Sequence, residues 1–82
     1  MPTVKRLKPD LVKYLKKRNL EKKFNKQVNL LTTDMDHPSL NTELLEPRSY
    51  KFYSFRIDKK YRAIFILVGG EIEVVDINLN YK

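Results

Sequence analysis

The chain has only two glycines, and they are adjacent, Gly69-Gly70. They separate residues 61–68 from residues 71–79, two runs rich in β-branched and aromatic side chains. A glycine pair between such runs is the signal of a two-residue hairpin, because the primed turns that match strand twist need φ > 0. The pair predicts antiparallel strands with Val68 opposite Glu71. A third run, residues 50–57, precedes Asp58-Lys59-Lys60, which reads as a three-residue loop closing a second hairpin. The C-terminal half is therefore expected to be an antiparallel meander.

The N-terminal half changes period. Pro9-Asp10 suits a helix start, since proline is tolerated in the first turn and a carboxylate complements the positive helix end. Leu11, Tyr14, Leu15 and Arg18 recur at helical spacing, with Lys13, Lys16 and Lys17 on the other side. Asn19 is expected to break this helix and cap a second one. Leu20, Phe24, Val28 and Leu31 then form an apolar stripe, and Thr32-Thr33-Asp34 has poor helix propensity. Pro38 and Pro47 bracket an irregular connection.

At 82 residues with no cysteine, the chain supports one core held by packing and hydrogen bonds rather than disulfides. The expectation is a single α+β domain over residues 1–82. A helical hairpin is laid on the meander, and a short strand near residues 3–7 can add an edge. Tyr53, Phe55 and Ile57, with Ala63, Phe65 and Leu67 beside them, should pack on the Leu20/Phe24/Val28/Leu31 stripe. The longest apolar run, residues 63–68, falls far short of a membrane span, and the N-terminus lacks the apolar stretch of a secretory signal. A cytoplasmic protein with no membrane contact, metal or small-molecule cofactor is the plain reading.

Charge carries more about function. The formal net charge is +7, divided as +8 over residues 1–28, −4 over residues 29–47 and +3 over residues 48–82. Such a field attracts RNA, DNA or an acidic protein. The competing reading is a lysine-rich face that only aids solubility.

The hairpin registers sharpen the first reading. If Ile57 pairs with Tyr61, Arg56 stands opposite Arg62, and like charges opposed across a ladder are unfavourable. If the glycine turn sets the next register without a bulge, Arg62 faces Ile77. Period two then carries Leu79 and Tyr81 to the same face. Two arginines and a tyrosine on one surface suit a phosphate with a base stacked beside it. Alternatively Glu43, Glu46, Glu73 or Asp76 neutralises the arginines in ion pairs. The one histidine, His37, precedes a proline and reads as a turn or capping residue.

His37-Pro38-Ser39-Leu40 and the run Tyr53-Ser54-Phe55-Arg56-Ile57-Asp58-Lys59-Lys60-Tyr61-Arg62-Ala63-Ile64-Phe65 resemble the RelE/ParE toxin superfamily. The order of two helices and three strands matches over nearly the whole chain. The resemblance implies a toxin neutralised by a cognate antitoxin, and in many RelE-like members a ribosome-dependent mRNA endoribonuclease acting in the ribosomal A site. It implies Arg62 as the active-site arginine and Arg56 as a substrate contact. Compared with the YoeB branch, Glu43 falls at the candidate general base and Tyr81 at the terminal aromatic. Asn80 stands where that branch has histidine, which leaves Tyr81, Lys51 or Lys82 as the implied proton donor. Lys13, Lys16 and Lys17 are then expected to steer the chain to RNA. The alternative is a non-catalytic module on the same fold, either an inactive homologue or a ParE-like toxin acting on a protein such as DNA gyrase.

Overall fold

The computed structural model describes residues 3–79. The element order is β1 (Thr3–Val4), α1 (Pro9–Lys17), α2 (Glu21–Thr33), β2 (Glu43–Leu44), β3 (Tyr53–Arg56), β4 (Tyr61–Val68) and β5 (Glu71–Leu79), with 3₁₀ turns at Pro38–Leu40 and Arg48–Tyr50. The strands form one sheet in the order β1-β5-β4-β3-β2. The β2-β3, β3-β4 and β4-β5 pairings are antiparallel, whereas β1 runs parallel to β5. The α+β architecture, a helical pair on one face of a meander, is the expected one. Among the described residues no helix is long and apolar enough to cross a membrane.

Helix α1 begins with Pro9 in its first turn and ends over Lys16 and Lys17, both arrangements suited to the helix dipole. Its end corrects the expectation for Asn19. That residue does not cap α2, whose N-cap is Leu20; it closes α1 in the left-handed region at φ +56°. The amides of Leu20 and Asn19 donate to the carbonyls of Leu15 (2.9 Å) and Lys16 (3.2 Å), and Leu15 and Leu20 are both buried beneath this closure. A second difference is the length of α2, which continues through Thr32 and Thr33. Their hydroxyls donate to the Asn29 carbonyl at 3.0 and 2.9 Å, so these side chains satisfy their own polar groups within the last turn.

The core lies between the helices and one sheet face. Leu11, Leu15, Leu20, Phe24 and Leu31 meet Phe55, Ile57, Ala63, Phe65, Ile72 and Ile77. Phe55 has ring centroids 5.9 Å from both Phe24 and Phe65, and Tyr53 stacks on Phe65 at 5.4 Å. Leu67 departs from expectation: it is 45% exposed, as is neighbouring Val68 at 42%, although its partner Ile72 is buried. The first strand of the meander is also shorter than predicted, residues 53–56 rather than 50–57: Tyr50 closes a 3₁₀ turn and residues 51–52 are irregular.

The three-residue loop forms as expected. Asp58 accepts hydrogen bonds from the backbone amides of Lys60 and Tyr61, both at 2.8 Å, and its other oxygen meets Lys23 of α2 at 3.4 Å. Burial favours the neutral carboxyl, but the two amides and the Lys23 ammonium outweigh it and hold the Asp58 carboxyl below its ordinary value of 3.8. The glycine turn is also as expected, with Gly69 at φ +57°, Gly70 at φ +80°, and Val68 opposite Glu71.

The β4-β5 register differs further along. Phe65 pairs with Val74 but Ile64 pairs with Asp76, so Val75 is an extra residue on β5. Below this bulge the buried residues of β5 are Ile72 and Val74; above it the buried one is Ile77. Arg62 consequently faces Asn78 rather than Ile77.

Candidate functional site

The sheet face turned away from the helices carries the polar constellation. Along β3 and β4, Tyr53, Phe55, Tyr61, Ala63 and Phe65 point to the core, so Ser54, Arg56, Arg62 and Ile64 take the opposite face. Arg56 and Arg62 are directly opposed, as the loop length predicts. Strand β2 adds the third member: Glu43 pairs with Ser54, which puts it on the same face as the arginines. Asn41, Glu43, Ser54, Arg56 and Arg62 line one small concavity. The structure thus brings together Arg56, Arg62 and Glu43.

Two supports fix this arrangement. Gln27, buried in α2, donates from Nε2 to the Arg56 carbonyl at 2.7 Å and the Ser39 carbonyl at 3.1 Å. A buried amide must find such partners, and these tie α2 to the end of β3 and to the turn leading toward β2. His37 is a capping residue, as expected: its Nδ1 accepts from the Ser39 amide at 3.1 Å and lies 2.9 Å from the Ser39 hydroxyl. Asn41 follows at φ +47° and its amide approaches Glu43 at 3.5 Å.

Neither arginine has an acidic ion-pair partner among the described residues. Glu73 pairs with Lys5 at 3.6 Å and Glu46 with Arg48 at 3.7 Å. Arg62 donates from Nε to Asn78 Oδ1 at 3.1 Å, and Asn78 Nδ2 donates to Asp76 Oδ2 at 3.2 Å. The Nε of Arg56 is buried without a hydrogen-bond partner among the described residues. Two opposed guanidinium groups without an acidic ion pair among the described residues form an arrangement suited to an oxyanion.

A shallow groove continues from Arg62, lined by Glu46, Phe52, Ile64, Val75, Asp76 and Asn78 among others. Beside it Tyr50 and Phe52 stand edge to face at 6.4 Å, and Tyr50 is 66% exposed.

Other expected site residues lie elsewhere. Lys13, Lys16 and Lys17 are exposed on α1, in the layer across the sheet from Arg62. Lys51 is exposed after the second 3₁₀ turn, at φ +55°, and does not line the concavity. Tyr81 and Lys82, with Asn80, lie outside the described residues. The expected pairing of Ile77 with Arg62 is corrected by the Val75 bulge: Ile77 turns to the core and Asn78 meets Arg62. The sequence holds that signal. Apolar residues fall at 72 and 74, then at 75, 77 and 79, a phase slip of one at Val74-Val75. Asn41, Ser54, Gln27 and Asn78 give no comparable signal.

No protein-family model and no curated protein matches the chain. Solved structures do. A YoeB/ParE toxin from Agrobacterium tumefaciens superposes with a TM-score of 0.72 at 16% identity, covering 99% of this chain and 100% of that one. YoeB in a heterotetrameric YoeB-YefM toxin-antitoxin complex from Staphylococcus aureus gives 0.69 at 18% identity, covering 99% and 97%. A YoeB dimer from the same organism gives 0.66 at 19%, covering 96% and 94%. Despite low identity, the likeness spans essentially whole chains, and this protein has the fold of the YoeB/ParE toxins.

Proposed function

We propose that the chain is the toxin of a toxin–antitoxin pair, a ribosome-dependent mRNA endoribonuclease that inhibits translation from its open sheet face. The observation that carries this reading is the opposed Arg56/Arg62 pair, free of acidic ion pairs among the described residues and sharing a concavity with Glu43. The partner is a cognate antitoxin, as YefM is for the structurally similar YoeB of Staphylococcus aureus. The substrate is mRNA in the ribosomal A site.

The chemistry uses the RNA's own 2′-hydroxyl. Glu43 takes the 2′-hydroxyl proton, and the 2′-oxygen attacks the adjacent phosphorus. Arg56 and Arg62 stabilise the charge of the phosphorane, the step where preorganised donors matter most. The P–O5′ bond breaks, leaving a 2′,3′-cyclic phosphate, and the 5′-oxygen takes a proton from Tyr81, Lys51 or Lys82. Lys51 and Lys82 are further RNA contacts, while Lys13, Lys16 and Lys17 supply long-range attraction to the polyanion.

Asn80 favours a second reading. Asparagine cannot transfer a proton as histidine does, and general acid–base catalysis typically contributes about 10² to 10⁴-fold. On that reading the chain binds its target without cutting RNA, and a protein such as DNA gyrase is the candidate. Programmed ribosomes separate the two. The first reading predicts cleavage of A-site mRNA by the wild-type chain, mapped by primer extension, and resistance of a message carrying a 2′-deoxynucleotide at the cut. Growth arrest or partner binding without cleavage establishes the second.

A further inference from the structure

Arg62 differs from Arg56 in one respect: its Nε is already occupied. We infer that Asn78 is the positioning residue of Arg62, with Asp76 holding Asn78, so that the guanidinium presents its two terminal nitrogens to a phosphate before substrate arrives. The inference rests on the endoribonuclease reading for its consequence in catalysis but not for its geometry.

The bulge makes the contact. Without Val75 as an extra residue, Ile77 would face Arg62 and Asn78 would turn to the core; with it, Asn78 stands directly opposite Arg62. Asn78 Oδ1 then accepts from Arg62 Nε at 3.1 Å. An amide can flip its oxygen and nitrogen, and here the 3.2 Å bond from Nδ2 to Asp76 fixes the oxygen toward Arg62. All three residues line the same groove.

The residue type matters as much as its place. An amide oxygen orients a guanidinium without neutralising it, whereas a carboxylate there would compete with a phosphate for the charge. Asp76 bonds Asn78 and forms no ion pair with Arg62 within 4.0 Å. With Nε occupied, the terminal nitrogens stay available, and less side-chain freedom is lost on binding. Arg56 has no such support: its Nε is buried without a hydrogen-bond partner among the described residues.

The test compares wild type with Asn78→Ala and Asn78→Asp, all first checked for cooperative thermal unfolding. Three quantities are read: solvent exchange of the Arg62 Nε–H by ¹⁵N NMR, affinity for an uncleavable 2′-deoxy-substituted RNA oligonucleotide, and kcat and KM on programmed ribosomes. Asn78→Ala should speed Nε–H exchange at least about 10-fold. It should lower kcat about 10- to 100-fold, the range lost with an outer partner that orients a functional group, and change KM less than about 3-fold. Asn78→Asp keeps the acceptor, so exchange should stay slow while oligonucleotide affinity falls. It carries the test alone if the alanine variant fails to fold. Wild-type exchange as fast as that of a solvent-exposed arginine, or an unchanged kcat in Asn78→Ala, overturns the inference. If wild type does not cleave but its Nε–H is protected and the protection disappears in Asn78→Ala, the endoribonuclease reading fails and the positioning role stands.

Discussion

Two guanidinium groups opposed across a ladder repel, and a sheet under selection for stability alone has little reason to keep them. Arg56 and Arg62 nevertheless face each other with no acidic ion pair among the described residues. Arg62→Ala should therefore leave the unfolding free energy within about 0.5 kcal/mol of wild type, measured by urea denaturation, since relief of repulsion offsets the lost bond to Asn78. Asp58 should behave in the opposite way. Its carboxylate holds two backbone amides of the β3-β4 loop, so Asp58→Ala should cost about 1.5–3 kcal/mol at neutral pH. Because its folded pKa is lowered, this contribution is fully present above the ordinary value of 3.8 and fades as pH falls through the folded value. Unfolding curves of wild type and Asp58→Ala should accordingly converge toward acid; a constant gap down to about pH 2 would show that the carboxylate charge is not responsible.

Among the helices and strands, much is legible in the sequence. The glycine pair, the Asp58 loop, both helices and the opposed arginines follow from periodicity and turn chemistry, because each depends on residues close in sequence. What escapes such reading depends on longer-range context. Strand β2 has two residues, Glu43 and Leu44, and exists only because β3 offers an edge; the resemblance singles out Glu43, but no local pattern places it beside Arg56. The Val75 bulge is visible as a phase slip, yet a slip can also be read as one apolar residue left on the open face. Asn19 shows a third limit: asparagine suits either a cap or a left-handed helix end, and burial of Leu15 with Leu20 decides for the latter. The core layer makes a firmer prediction. Phe24, Phe55 and Phe65 pack in series between α2 and the sheet, so Phe24→Ala or Phe65→Ala should cost about 3–5 kcal/mol. Chemical denaturation showing less than about 1 kcal/mol for both would mean this layer is not the core.

The protein as a unit has two charged faces on opposite sides of one sheet. The helical layer presents Lys13, Lys16 and Lys17 to solvent, whereas Arg56, Arg62 and Glu43 gather on the open face. If the protein is an endoribonuclease, the first face attracts RNA and the second reacts with it. Salt should expose that division, because attraction over distance is screened and contact chemistry is not. The decisive measurement is cleavage of mRNA on programmed ribosomes at low and high salt. It compares wild type, Arg62→Ala, Arg62→Lys and a Lys13/Lys16/Lys17→Ala triple variant. Arg62→Ala should lose about 10² to 10³-fold in kcat at every salt concentration, and Arg62→Lys should also be impaired because an ammonium cannot fork onto a phosphate. The triple variant should act through KM and lose part of the wild-type salt dependence. Full cleavage by Arg62→Ala, or loss of kcat in the triple variant alone, would contradict the assignment of the open face as the reactive one.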